Sequence, residues 1–409
     1  MLQERTSDSI LQVMPVGNPS YLCRTYAQLM KIGIVLYPTF GGSGVVATEL
    51  GKALAAQGHE IHFVTYNQPV RLGSFTKNLF YHEVNVSEYP LFDYPPYETV
   101  LASKLVDVVK NEGIDLLHVH YAIPHASAAY MAQRILEAQG IRIPFITTLH
   151  GTDITLVGRD PSFEPAITFA INHSDAVTAV SESLKRDTYE HFGVTRDIHV
   201  IPNFICPEHY LPKPEKDFRN AYAPNGEKII THISNFRPVK RVDDVVRIFE
   251  KILKKVPAKL ILVGDGPDRY RVEQLCRELG TCEHTNIIGK LKKPEEVLSI
   301  SDLFLLPSES ESFGLAALEA MASGVPVISS NTGGLPELNL HGFSGFTSDV
   351  GDIDQMAADA VTLLSDETLL NTFKKNALKR SLDFDIRNVL PMYTRLYNEV
   401  LEKASQPVN

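Results

Sequence analysis

Between residues 32 and 329 the chain alternates short apolar runs with stretches of helical spacing. IGIVLY (32–37), EIHFVTY (60–66), DLLHVH (115–120), PFITTL (144–149) and AVTAV (176–180) read as buried strands, with further strands at 79–86 and 198–201. Between them, helical spacing covers the segment ending at Gly58 and then 97–112, 124–139, 164–173 and 182–192. Strands separated by helices cannot pair as hairpins. The pattern therefore predicts an α/β fold with a parallel sheet covered on both faces. Ligands of such sheets sit beyond the carboxyl ends of the strands. That rule selects Gly41 to Gly44, His120-Tyr121 and His150 to Asp153 as one wall of a cleft.

Pro202-Asn203-Phe204 opens a break that continues through Pro207, Pro212, Pro214 and Pro224, the composition of a linker. A second alternating series follows. Its strands are read at 228–234, 258–263, 285–288, 301–307 and 325–329, and its helices at 242–255, 268–279, 294–300, 316–322, 353–364 and 367–380. Two Rossmann-like units in 409 residues place a cleft between facing domains. The limits read from this pattern are 30–203 for the first domain and 204–384 for the second, with 385–409 as a helix returning to the first. Met30-Lys31 leads directly into a strand, so Met30 reads as the natural start and 1–29 as a disordered extension.

The formal net charge of −10 disfavours a general polyanion binder, so nucleic acid is not an expected partner. No apolar run approaches the ~18 residues of a membrane span, and no basic amphipathic helix stands out, so no stable membrane association is expected. Cys23, Cys206, Cys276 and Cys282 show no C-x-x-C spacing, which reads as reduced thiols in a cytoplasm. Nothing in the sequence decides whether the chain forms a homo-oligomer.

Two segments of the second unit carry chemistry. Ser308 to Ala322 runs from an acidic turn into a helix, and its start offers the free amides of Phe313, Gly314 and Leu315 to an anion, with Glu311 and Glu319 alongside. Acidic residues before a helix also serve simply as caps. Ser234 to Arg241 is a basic cluster in an acidic protein, either a solvated loop or a means of neutralising a diphosphate. In the first unit, G-G-S-G at 41–44 lacks the G-x-G-x-x-G order of a dinucleotide site but still lets a ligand approach a helix start.

The run E-S-F-G-L-A-A-L-E-A-M-A-S-G-V-P-V-I (311–328), followed by Gly333-Gly334, resembles the signature of family 4 retaining glycosyltransferases. The resemblance covers nearly all of 30–403 and implies the GT-B fold, a UDP-sugar donor and front-face retaining transfer. On it, the catalytic set is Glu311, Lys240, Arg237 and His150. Glu311 would hold sugar hydroxyls, Glu319 the ribose, and Phe313, Gly314, Leu315 and Ala316 the diphosphate. His150 in T-L-H-G-T-D matches the histidine that meets the donor sugar. Gly42, Asn203, Gly264, Gly266 and Lys290 fall on other donor-binding turns. Lys240 matches the family lysine, whereas the arginine expected five residues earlier is Asn235, and Arg237 is displaced by two. No Asp-x-Asp follows a strand, so neither metal nor cofactor is expected. KIGIVLYPTFGGSGVVATELG, HVHYAIPHA and SNFRPVKRVDD resemble more narrowly the bacillithiol-pathway branch that joins N-acetylglucosamine from UDP-N-acetylglucosamine to L-malate. Acceptor candidates are Ser43, Tyr121, Thr152 and Arg71. The alternatives are a lipid or polysaccharide acceptor, a sugar-nucleotide 2-epimerase, and a non-catalytic nucleotide-sugar sensor.

Overall fold

The computed structural model describes residues 29–39, 42–73, 76–86, 94, 96–156, 158, 160–210 and 216–406. Nearly all of the expected N-terminal extension, with Cys23, lies outside the described residues, as does Gly41.

The first lobe comprises β1 (Lys31–Val35), α1 (Gly42–Ala56), β2 (Glu60–Thr65), β3 (Leu79–Glu83), α2 (Tyr97–Glu112), β4 (Leu116–His120), α3 (Ser127–Glu137), β5 (Phe145–Leu149), α4 (Glu164–His173), β6 (Ala176–Ala179), α5 (Glu182–His191) and β7 (Ile198–Val200). Its sheet has the order β3-β2-β1-β4-β5-β6-β7, with every pairing parallel. The second lobe comprises α6 (Lys216–Tyr222), β8 (Lys228–Ser234), α7 (Val242–Leu253), β9 (Ala258–Gly264), α8 (Arg269–Glu278), β10 (Thr285–Gly289), α9 (Pro294–Leu298), β11 (Leu303–Leu306), α10 (Leu315–Ala322), β12 (Val327–Ser330), α11 (Leu335–Leu338), β13 (Gly345–Ser348), α12 (Ile353–Ser365) and α13 (Glu367–Ser381). Its sheet, also parallel, has the order β10-β9-β8-β11-β12-β13.

Each lobe has a point where the strand order reverses. The chain runs outward from β1 to β3 and returns to lay β4 beside β1; it repeats this from β8 to β10, returning at β11. The loops after the two strands at a reversal diverge to opposite faces and leave a crevice between them. In the first lobe those loops lead into α1 and Tyr121. In the second they carry Lys240 and Glu311.

Side chains of the inner strands are almost wholly buried, as sheets covered on both faces require, whereas the edge strands β3 and β10 are only partly covered. α7 shows how a helix meets that core: Val242, Val245, Val246, Phe249 and Ile252 form one buried stripe against β8 and β9 residues such as Ile230 and Leu260. Each such burial is worth roughly 1.5–3 kcal/mol. α14 (Ile386–Ser405) packs on the first lobe, where Val389, Tyr393, Tyr397 and Val400 share a core with Met30, Ile32 and Leu50. The Tyr397 hydroxyl lies 2.8 Å from His118 Nδ1, inside the first sheet. The chain crosses between lobes twice, and the crossings lie side by side, with Ile205 bridged to Asp385.

The sequence pattern misses α6, α11 and β13. β13 is the edge strand GFTS and α11 the single turn LPEL, both too short and too mixed to show periodicity.

Candidate active site

A cleft of ≈ 910 Å³ opens between the two sheets' carboxyl ends. Its lining includes Gly42, Ser43, Arg71, Tyr121, His150, Thr152, Asn203, Arg237, Lys240, Gly264, Lys290, Glu311, Phe313, Gly314, Leu315, Ala316 and Glu319, so residues far apart in sequence converge here. Of the anticipated residues, Gly266 is not on this wall. A β-carbon there would lie 2.7 Å from the Phe236 carbonyl oxygen and 2.9 Å from that of Asn235. Gly266 therefore lets the β9 turn approach the loop after β8.

The second lobe meets the cleft with charge. Lys240 Nζ donates to Glu311 Oε1 at 2.6 Å, and Ser308 Oγ donates to the same oxygen at 2.9 Å. The backbone of Glu311 is held from behind, because Gly334 N–H donates to its carbonyl at 2.8 Å. Gly333 has φ 57°, and a β-carbon there would sit 2.0 Å from that carbonyl oxygen, so the Gly-Gly turn is required by close approach. Beyond Glu311, Gly314 at φ 93° turns the chain into α10, whose first amides have no carbonyl one turn below them and face the cleft. Arg237 lines the rim, exposed and without an ion-pair partner among the described residues.

Glu319, on the next turns of α10, is buried and accepts from the Tyr210 hydroxyl at 2.8 Å. Burial raises its pKa against the lowering influence of Arg71 and Tyr210. The Arg71 guanidinium, placed with the acceptor by the sequence reading, lines the cleft and faces Glu319 at 3.8 Å and Glu295 at 3.9 Å. It is thus a first-lobe cation turned toward second-lobe carboxylates. Sequence reasoning missed Ser308 and Tyr210. Ser308 lies in a polar turn and Tyr210 in an aperiodic linker, and neither position carries a signal.

Apart from Arg71, the first lobe meets the cleft with neutral groups. His150 Nε2 lies 2.8 Å from His120 Nδ1, the two rings stack at 5.1 Å between centroids, and His118 follows at 4.5 Å from His120. Burial pushes His118 and His150 down to about 3 and His125 to about 4, so all three rings are uncharged near neutrality. Asp153, enclosed behind them, is pushed up to about 6 by burial, although it accepts the amides of Ala122 at 2.8 Å and Gly151 at 3.2 Å. Tyr121 has φ 85°, a conformation costing a non-glycine residue ~1–3 kcal/mol, and its hydroxyl donates to Ser43 Oγ at 2.7 Å. Thr152 stands exposed beside it. Ser43 lies in the first turn of α1, so free amides accompany these hydroxyls. Gly44 permits that start, since a β-carbon would lie 2.5 Å from the Tyr37 carbonyl oxygen.

The lobes also touch outside the cleft. Glu337 accepts the amides of Glu182 and Ser183 at 2.9 and 2.8 Å, capping α5 from across the interface. Ser181 Oγ donates to the Ser312 carbonyl at 2.6 Å, and Gly151 at φ 110° leaves room for Ser312.

This architecture is that of GT-B glycosyltransferases. The description "Glycosyltransferase Family 4" matches residues 40–209 and "Glycosyl transferases group 1" residues 214–380. A Bacillus anthracis N-acetyl-alpha-D-glucosaminyl L-malate synthase is 47% identical over 374 residues, covering 91% of this chain and 97% of that protein. The chain belongs to the family 4 glycosyltransferases. An uncharacterised glycosyltransferase of Methanocaldococcus jannaschii is 28% identical, covering 86% of this chain and 94% of its own. Among solved structures, the Anabaena protein HepE in complex with UDP and glucose superposes with a TM-score of 0.77 at 20% identity, covering 90% and 99% of the two chains. A Thermosynechococcus elongatus sucrose-phosphate synthase superposes with a TM-score of 0.75 at 20% identity, covering 91% and 100%.

Proposed function

We infer that this enzyme transfers N-acetylglucosamine from UDP-N-acetylglucosamine to the hydroxyl of L-malate with retention of configuration, the first step of bacillithiol biosynthesis. The observation that carries the reading is the 47% identity across both lobes with the L-malate synthase of B. anthracis. The thiol state of the described cysteines fits a reducing cytoplasm.

Lys240, Arg237 and the first amides of α10 face the place assigned to the donor diphosphate, where charge grows as the glycosidic bond breaks. Glu319 is assigned to the ribose and Glu311 to the sugar hydroxyls. His150, uncharged, offers a ring nitrogen to the sugar without repelling Lys240. Asn203, Gly264 and Lys290 are assigned to the nucleotide side of the cleft. The acceptor place is assigned to Ser43, Tyr121, Thr152 and the start of α1, where amides and hydroxyls together suit a carboxylate. Arg71, engaged with Glu319, is assigned to the boundary between the two places.

The step balances without a protein nucleophile. The bond from sugar C1 to the β-phosphate oxygen breaks while the malate oxygen bonds C1 on the same face. The malate hydroxyl proton passes to the departing phosphate oxygen, and UDP leaves. The test is UDP release from UDP-N-acetylglucosamine with malate, with a lipid acceptor, with a polysaccharide and with no acceptor. Release strictly dependent on malate is expected. Turnover without acceptor identifies an epimerase or hydrolase, and preference for a lipid or glycan overturns the acceptor assignment.

A further inference from the structure

The chain that crosses from the first lobe to the second carries Cys206 and His209, three residues apart in Cys-Pro-Glu-His. Pro207–His209 is a single 3₁₀ turn, and three residues per turn bring positions 206 and 209 to the same side. That side faces α1, where Glu49 is 6% exposed. One ligand atom from each of Glu49, Cys206 and His209 lies within 4.8 Å of the others.

We propose that Glu49, Cys206 and His209 form a site for one Zn²⁺-like divalent cation that ties the interlobe crossing to α1. The ligand set is a carboxylate, a thiolate and an imidazole, which suits zinc with a fourth position open to water. Metal–ligand bonds of about 2.3 Å to sulfur and about 2.0 Å to oxygen give a tetrahedral S···O edge of about 3.5 Å. Cys206 Sγ and Glu49 Oε2 already lie 3.7 Å apart. His209 is exposed, so rotation of its ring closes the remaining edges by about 1 Å. Glu49 is oriented for this role, because Lys52 Nζ donates to Oε1 at 3.0 Å and leaves Oε2 toward the cysteine. A cavity of ≈ 10 Å³, about the room of one water-sized species, is lined by residues that include all three.

The binding step involves no redox change. The Cys206 S–H proton leaves to solvent as the sulfur–metal bond forms. The consequence reaches the cleft through one residue. Tyr210, next after His209, donates to Glu319, and it lines the same small cavity. A cation at the site therefore fixes the segment that holds the carboxylate assigned to the ribose.

The experiment titrates the full chain, freed of metal, with Co²⁺ as a spectroscopic probe, and repeats the titration with Zn²⁺ in equilibrium dialysis. Native protein is expected to bind one Co²⁺ per chain with a thiolate charge-transfer band and tetrahedral d–d bands, both displaced by Zn²⁺. Cys206→Ser abolishes the charge-transfer band, His209→Ala weakens Zn²⁺ binding at least about 10-fold, and Cys282→Ser changes neither. Zn²⁺ slows amide exchange over residues 203–210 in native protein and not in His209→Ala. If Cys206→Ser fails to fold, His209→Ala carries the measurement alone, since its side chain is exposed. Fewer than one ion per chain, a charge-transfer band that survives Cys206→Ser or disappears with Cys282→Ser, or unchanged affinity in His209→Ala would overturn the proposal.

Discussion

The two lobes share one sheet plan but equip the cleft by opposite means. The second lobe places charge there: Lys240 against Glu311 at 2.6 Å, Arg237 on the rim, and Glu319 buried under Arg71 and Tyr210. Apart from Arg71, the first lobe places hydroxyls and uncharged imidazoles there, its histidines driven far below their usual range by enclosure. In the proposed reaction, charge that grows on a departing diphosphate would be served by the second lobe's fixed cations and amides. A group that must lie close to those cations without competing is served by neutral hydrogen-bonding partners. The contrast teaches that the fold sets where a ligand can sit, while side-chain electrostatics set which part of the reaction each half can serve.

The strongest way to break this contrast is to remove charge from the second lobe. Glu311→Ala and Lys240→Ala should each lower kcat by about 10³-fold with unchanged folding, measured by UDP release and circular dichroism. Rates within a few-fold of native would show that the ion pair is only structural.

The next test asks whether the first lobe's histidines are neutral. Their folded pKa values of about 3 to 4 lie below the unfolded value of 6.5, so below 6.5 the unfolded chain takes up protons that the folded chain refuses. Stability from His118, His125, His150 and the second lobe's His232 is thus complete above pH 6.5 and is lost as pH falls toward 4. Asp153, raised to about 6, works the other way, stabilising below its unfolded 3.8 and losing that contribution as pH rises through 6. Glu319, also raised, adds to the opposing side. The histidines outnumber these groups, so the melting temperature should fall by on the order of 10 °C between pH 7 and pH 5. A flat profile would mean that the rings are accessible and charged.

A smaller effect separates acceptor from donor. Tyr121→Phe deletes the hydroxyl that donates to Ser43 and should raise KM for malate by about 10-fold, with KM for UDP-N-acetylglucosamine within about 2-fold. Equal changes in both constants would deny the division of labour. The smallest effect lies outside the cleft. Glu337→Ala removes the carboxylate that caps α5 across the interface, and should cost about 1 kcal/mol of lobe–lobe contact. Solution scattering should then report a more open average shape, and an unchanged profile would assign closure to the other interlobe contacts, such as that of Ser181 with Ser312.

Much of this was legible in one dimension. Strand and helix periods located β1, β4, β5, β8 and β11 within a few residues; the rule that ligands gather at strand ends selected Ser43, Tyr121 and His150, while Lys240 and Glu311 came from the basic cluster at 234–241 and the acidic helix start at 308–322, and all five line the cleft. The surroundings that the sequence did not show have a common cause. Gly266 sits in a nucleotide-type turn yet serves to admit the neighbouring backbone, and Arg71 reaches carboxylates more than two hundred residues away. Neither fact has a local signature, because each depends on what the other lobe or loop brings into contact.

Local chemistry along the chain determined the elements, the two-unit plan and the residue types that could hold an anion at a helix start, because periodicity and helix starts are properties of neighbours in sequence. Strand order, the reversal points at β1/β4 and β8/β11, the Lys240–Glu311 pair and the neutral histidine wall were decided only in three dimensions. They depend on burial and on distances of a few ångströms between segments whose separation along the chain carries no information about either.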